Sequence, residues 1–496
     1  MRLFGYAPQN GAAAGDTMPF WHEGRWHLFF SQPPRGAWEY VERARVSTAH
    51  LVSDDLVNWE VLPDSFGPGP DGACDGNGIW TGSVIEHDGV YHFFYTGYNR
   101  HADSPQSICK AVSSDLVHWQ KVEHNPLFGP DPRWYETVDW RDPFVLRDPD
   151  PAQERFMMLI SARLKDGPLY RRGCVAVAVS QDLEHWEVRA PLTAPMLTHC
   201  PECPELFQLG NWWYLVRSRY DGQAQTFYRA APAPQGPWRA RRLDTLDGRR
   251  FYAAKSAGDG RRRFSFAWIP YRKHHEARGD WVWGGQLGSP HELLSLADGT
   301  LITRLPPEVA ASYGESLAWN CGDGQGDWQR AGADLVCDAG DSYAWCALEV
   351  EGDGELLLDP PIEIAAGTPS AGVLLETQGA ELEAGYWIGI EPLQGRVVLD
   401  RWPTPMDPLW DSLVLGERHG VQVRQEIDAP LVTRPLAFTP QDGRYRLQLL
   451  RKGELVECYV AEQVVASYRI YERGDCALGL FVQEGAARFV EPRFLR

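Results

Sequence analysis

The sequence predicts an all-β protein, a five-bladed β-propeller followed by a C-terminal β-sandwich. Three observations carry this. Gly (48) and Pro (37) are abundant and aromatics reach 12 %, with 21 Trp, as short strands and tight turns require. Long amphipathic helical patterns are missing. Two short motifs alternate along the first three fifths of the 496-residue chain, a length that calls for two domains.

The first motif reads "VSDDLVNW" (52–59), "VSSDLVHW" (112–119) and "VSQDLEHW" (179–186), with a weaker form in "PQGPW" (234–238). Its Trp residues stand 60 residues apart (59 to 119), then 67 (119 to 186), then 52 (186 to 238). Periods of this size mark propeller blades or solenoids. Ser and Asp start a turn, and the Trp packs on the neighbouring sheet.

The second motif is a turn followed by aromatic or aliphatic alternation. It occurs as "HEGRWHLFF" (22–30), "HDGVYHFFY" (87–95), "QERFMMLIS" (153–161), "LGNWWYLVR" (209–217) and "GDGRRRFSFAW" (258–268). Each reads as a hairpin entering the buried strand of a blade, so five blades fill residues 1–310. An ordinary β-sandwich with similar hairpins is the competing architecture; the in-phase alternation of two motifs favours the propeller. From about residue 315 to 496, period-2 strands such as "YRLQLLR" (445–451) and "VASYRIY" (465–471) predict a separate antiparallel sandwich.

A net charge of −19 disfavours nucleic acid and anionic membranes as partners. No stretch approaches 18 apolar residues, and the opening "MRLFGYAPQNG" carries no apolar signal segment. Ten Cys without framework spacing fit reduced thiols, and the location expected is the cytoplasm. Cys200 and Cys203 form a C-x-x-C beside His199, but no second ligand pair has zinc spacing, so neither metal nor cofactor is expected. "RKHHEAR" (272–278) reads as a solvated loop that could line a channel mouth, and "GDGELLLDPP" (352–361) lacks phosphate-loop spacing.

Three acids stand just ahead of apolar strands: Asp16 in "GDTMPF", Asp142 in "VDWRDPFVL" (138–146) and Glu202 in "HCPECPELFQL" (199–209). One such Asp is usually a turn or capping residue. Three at the starts of different blades converge on the central channel, where a propeller gathers its innermost strands. Glycosidic cleavage needs two carboxyls flanking the bond, and a third can orient sugar hydroxyls.

These residues carry a resemblance. "WRDPFV", "PECPELF", "DGNGIWTGSVI" (75–85), "GRRFYAAKS" (248–256) and "WGGQLGSPHEL" (283–293) resemble, in order, elements of glycoside hydrolase family 32, the β-fructofuranosidases. In the second domain "VVLDRW" (397–402) and "LVECYVAEQ" (455–463) resemble sandwich strands of that family. The resemblance implies a propeller followed by a sandwich and a retaining, metal-free reaction. The reaction would cleave terminal β-fructofuranosidic bonds in sucrose, fructo-oligosaccharides or short fructans. It makes Asp16 the nucleophile, Glu202 the general acid/base and Asp142 the transition-state stabiliser. It also makes Arg141, Ser31, His50, Trp80, Thr81, Cys203 and Trp283 candidates for the sugar site, with Trp80 and Trp283 as stacking platforms. The two reacting carboxyls are then expected about 5–5.5 Å apart.

The chain departs from the family where the nucleophile sits. "GDTMPF" replaces Asn-Asp-Pro-Asn-Gly, Met18 falls near an absent sugar-binding Asn, and Ser31 stands for a Gln. Thr48-Ala49-His50 replaces Trp-Gly-His, and Glu205 an Asp. Each lost amide hydrogen bond is worth on the order of 1 kcal/mol, so substrate preference is expected to change more than mechanism. A fructosyltransferase or a hydrolase of another furanoside, such as an arabinofuranoside, are the variants, and a non-catalytic sugar-binding propeller is the alternative class. The expected partner is a small sugar or oligosaccharide; oligomeric state is not legible.

Overall fold

The computed structural model describes residues 1–8, 12–277, 279–351, 354–379, 381–404 and 430–496. Arg278 of the "RKHHEAR" loop and the opening Gly352-Asp353 of "GDGELLLDPP" lie outside the described residues. The chain divides into two compact units, Met1–Leu246 with Arg250–Leu301, and Asp247–Arg249 with Ile302–Arg496.

The first unit is a five-bladed propeller. Blade 1 runs Thr17–His22, Arg25–Gln32, Ser47–Ser53 and Trp59–Phe66, each strand antiparallel to the last. Blades 2 and 3 begin with Gly78–His87 and Tyr135–Arg147 and repeat this four-stranded meander; blade 4, from Glu202–Leu209, has three strands, and blade 5, from Tyr252–Gly258, has five, two of which pair with Arg263–Arg272 beyond its first strand. The first strands touch one another in a closed cycle around the axis. Each second-motif segment is the hairpin joining a blade's first and second strands. At Glu23-Gly24 and Asp88-Gly89 both turn residues have positive φ, as the tightest hairpins demand.

The first motif joins the third strand to the outer strand. In all three copies the Asp carboxylate (Asp55, Asp115, Asp182) accepts two backbone N–H groups and the Ser hydroxyl. That cradle holds the buried Leu56, Leu116 and Leu183 at φ of 61–65°, a left-handed conformation costly for Leu. The Trp then wedges against the preceding blade. Trp119 meets Phe29 and Phe66 of blade 1, Trp186 meets Phe94 of blade 2, and Trp59 meets Phe266 of blade 5. Trp59 is 2 % exposed and donates its Nε1–H to the Leu56 carbonyl at 2.9 Å. Trp59→Ala is expected to cost about 3–5 kcal/mol, read as a fall in the unfolding midpoint by circular dichroism.

In the second unit, Asp334–Val350 pairs along Cys476–Phe489, which pairs in turn with Ser370–Gln378, Ala384–Glu391 and Arg396–Trp402. A second stack runs Arg444–Lys452, Leu455–Val460 and Val464–Arg469. The two halves are one nearly closed sheet, because Pro361–Ile364 pairs with both Arg444–Lys452 and Cys476–Phe489. No helix among the described residues is long and apolar enough to cross a membrane.

Candidate active site

The inner strands of blades 2 to 5 each carry a β-bulge, near the start in blades 2, 4 and 5 and past the middle of Tyr135–Arg147 in blade 3. Register slips at Trp80/Gly82, between Arg141 and Phe144, between Glu202 and Glu205, and between Tyr252 and Lys255. The bulged residues Asp142, Cys203 and Ala253 share φ values of 57°, 49° and 53°. An extra residue bends a strand and re-aims side chains. Asp16, one residue ahead of blade 1's first strand, stands at the corresponding place, with its carbonyl accepting the Ser31 N–H. One ring of residues is therefore Asp16, Thr81, Asp142, Cys203 and Ala253. Each is preceded by a member of a second ring: Gly15, Trp80, Arg141, Glu202 and Tyr252.

Asp16 is fixed by two donors. Trp268 Nε1–H reaches its Oδ1 at 2.9 Å and the Thr81 hydroxyl its Oδ2 at 2.6 Å. Burial and the nearby Asp142 raise its pKa to about 6, against these donors and Lys255. Gly15 is required beside it, since a Cβ there would lie 2.5 Å from the Trp283 ring. Asp142 is 3 % exposed; its Oδ2 accepts the Cys203 N–H at 2.9 Å and the Ser161 hydroxyl at 3.2 Å, with Arg141 Nε 3.8 Å away. No hydrogen bond from the described residues reaches Asp142 Oδ1.

Glu202 takes Arg141 Nη2 at 3.1 Å on Oε1 and the Tyr252 hydroxyl on Oε2. Burial raises its pKa to about 7; Arg141 opposes this and Asp142 adds to it. Two carboxyls with pKa values displaced upward by different amounts can divide acid and nucleophile duties near neutrality.

These groups line a cavity of about 310 Å³ with Trp38, Tyr40, Arg43, Trp281 and Trp283. That volume sits at the low end for ligand pockets, about 300–1,000 Å³, and suits a terminal sugar better than a chain threading through. Of the residues singled out from sequence, Asp16, Trp80, Thr81, Arg141, Asp142, Glu202 and Trp283 come together on its wall. Cys203 lies directly beneath, its backbone on Asp142 and its Sγ 3.8 Å from Asp16 Oδ2. Ser31 and His50 do not join them. Both lie on the second and third strands of blade 1 and are 1 % exposed. His50 stacks on Phe29 and contacts His27 Nδ1 through Nε2 at 3.0 Å, and burial pushes its pKa down to about 3. Met18 is likewise core; its Sδ receives the Gly82 N–H. Glu205 is fully buried and pairs with Arg263 at 2.8 Å. The "RKHHEAR" loop reaches the mouth, where His274 and His275 pack on Trp38.

Sequence reasoning gave no role to Tyr252 or Trp268, although both lie in stretches it singled out. It passed over Trp38, Tyr40 and Arg43 entirely. Arg43 is 6 % exposed and donates to the carbonyls of Ala37 (2.6 Å), Gly284 (3.3 Å) and Trp283. It thereby ties the 37–44 segment to the strand bearing Trp283. Among the described residues no three His, Cys, Asp or Glu side chains form a metal-binding set.

Residues 6–304 match the glycosyl hydrolases family 32 N-terminal domain. Among similar proteins, a sucrose-6-phosphate hydrolase of Zymomonas mobilis is 28 % identical over 298 residues, 55 % of each chain. A probable sucrose-6-phosphate hydrolase of Psychromonas ingrahamii is 30 % identical over 325 residues, 61 % of this chain and 56 % of that one. The chain thus spans about half the length of these relatives. Among solved structures, exo-inulinase from Aspergillus awamori superposes with a TM-score of 0.72 at 17 % identity, covering 100 % of this chain and 98 % of the other. Fructan 1-exohydrolase IIa from Cichorium intybus gives 0.70 at 18 %, covering 99 % and 96 %. At such identities these two likenesses speak for the fold.

Proposed function

Because this chain belongs to glycoside hydrolase family 32, we propose that it is a retaining hydrolase. It removes terminal β-fructofuranosyl groups from sucrose, fructo-oligosaccharides or short fructans. The observation that carries this reading is the convergence of Asp16, Asp142, Glu202 and Arg141 on one terminal-sugar-sized cavity. In the first step an Asp16 oxygen attacks the anomeric carbon while Glu202 gives its proton to the glycosidic oxygen, and the bond to the leaving sugar breaks. In the second, Glu202 takes a proton from water, which attacks the same carbon and frees Asp16. Asp142, held by Arg141, Ser161 and the Cys203 N–H, offers Oδ1 to the sugar hydroxyls.

The experiment is incubation of purified protein with sucrose, sucrose 6-phosphate, 1-kestose, inulin, levan and an aryl arabinofuranoside, with products separated by chromatography. Free fructose supports the reading, and no fructose from any fructoside overturns it. The placement of Met18, Ser31 and His50 in the core favours a second reading, a hydrolase of another furanoside. Release of arabinose alone would select it.

The roles fix a pH profile. Activity needs Asp16 ionised, so it rises as pH passes about 6, and Glu202 protonated, so it falls as pH passes about 7. A narrow bell in kcat/KM is expected. The Tyr252 hydroxyl favours the ionised form of Glu202. Tyr252→Phe should therefore raise the Glu202 pKa and move the alkaline limb to higher pH, which a pH–rate series reads directly.

A further inference from the structure

Three exposed or half-buried rings lead away from the acid. Tyr220 is 42 % exposed and stands two residues beyond Ser218, the cross-strand partner of Glu202. The His199 ring follows at 6.0 Å between centroids, and Tyr170, 74 % exposed, lies 6.2 Å further on. Tyr170 comes from the loop between the second and third strands of blade 3, His199 from the segment ahead of blade 4, and Tyr220 from a loop within blade 4.

The rings are braced from below. Arg163 is 4 % exposed and ion-pairs with Glu136 at 3.0 Å. Its Nη1 meets His199 Nδ1 at 2.9 Å, and its Nη2 donates to the carbonyl of Leu169, next to Tyr170, at 2.9 Å. Asp221, next to Tyr220, accepts the His199 N–H at 3.2 Å. A single buried guanidinium and one carboxylate thus set all three loops. Rings fixed in advance lose little freedom when something lies on them. Burial and Arg163 hold the His199 pKa below its ordinary value, so the ring is uncharged at neutral pH.

We propose that Tyr220, His199 and Tyr170 form an aromatic path that carries the leaving-group side of an oligosaccharide. On this view the protein prefers substrates longer than a disaccharide. This rests on the hydrolase reading above. The path starts at the strand pair that carries the carboxyl protonating the bridging oxygen, and its rings stand outside the cavity wall, so it meets the leaving sugar and not the terminal one held in the cavity. Its spaced ring faces suit the C–H-rich faces of successive sugars.

The test is the ratio of kcat/KM on 1-kestose to that on sucrose. Tyr170→Ala is expected to lower this ratio about five-fold, the size of one lost ring contact. Tyr170→Phe, which keeps the ring, restores it. His199→Ala lowers it as well, with the melting temperature recorded alongside. An unchanged ratio in both alanine variants at wild-type melting temperature overturns the path. If the wild type cleaves neither of these two sugars, binding decides instead, and the hydrolase reading falls only if no fructoside releases fructose. In that case 1-kestose is titrated calorimetrically into wild-type and Tyr170→Ala protein. Weaker binding by the variant supports the path; equal binding or none overturns it.

Discussion

Glu202→Gln is expected to lower kcat on sucrose by about 10²–10⁴-fold, the range a positioned general acid contributes. The amide oxygen can still accept from Arg141 and its N–H can donate to the Tyr252 oxygen, so the cavity keeps its shape while the transferable proton is lost. The loss should depend on the leaving group. An aryl β-fructofuranoside departs without protonation, so its first step is spared, and a burst of phenol followed by a slow phase is expected. Stopped-flow absorbance checks this. An equal drop in kcat/KM, which reads the first step, for sucrose and the aryl substrate would remove Glu202 from the acid role.

Asp16→Asn is expected to be more severe, about 10⁴-fold or beyond on either substrate, because an amide cannot form the covalent intermediate whatever leaves. Trp268 Nε1–H and the Thr81 hydroxyl both donate to Asp16. An Asn side chain has one acceptor oxygen for these two donors, so a small repacking accompanies the substitution. Mass spectrometry supplies the decisive contrast. A mechanism-based fluorosugar should label the wild-type protein on the peptide containing Asp16 and leave Asp16→Asn unlabelled. Labelling of the Asn variant would assign the nucleophile elsewhere.

The repeats made the propeller legible because the first three blades reuse the same local solutions. These are a positive-φ hairpin turn, an Asp cradle under a left-handed Leu, and a Trp wedge, all written within eight or ten consecutive residues. The acids were legible for a related reason, since each stands just ahead of an apolar run, although Asp142 lies inside its strand and not at its start. The bulge was not, because it depends on how a strand registers against its partner. Tyr252 and Trp268 therefore carried no signal of what they touch; Trp268 reaches Asp16 across 252 positions. Ser31 and His50 show the converse. Their motif positions lie near the site in sequence, yet they belong to strands one and two removed from the axis, where side chains pack into the sheet layers of the blade. Arg43 and Trp38 lie in a segment with no periodic pattern, and only its anchoring to blade 5 gives it meaning.

The closure of the ring has a consequence for how the protein comes to be active. Blades 1 and 5 are joined by the N-terminal segment, where Gly5 and Tyr6 exchange hydrogen bonds with Leu287, and Ala14 with Gly285. Asp16 follows two residues after Ala14, and its Trp268 partner belongs to the last blade. During synthesis residue 14 must wait for residue 285, roughly 15–50 s at ribosomal rates. Pairings of such sequence separation are also slow to form from the unfolded chain. A chain with four finished blades already holds Asp142, Arg141 and Glu202, and its nucleophile is tied to Ser31 and Thr81 but still lacks the Trp268 donor and the seam beside it. Glycosidase activity would therefore be the last property the molecule acquires, and the first to vanish when the seam between its ends opens.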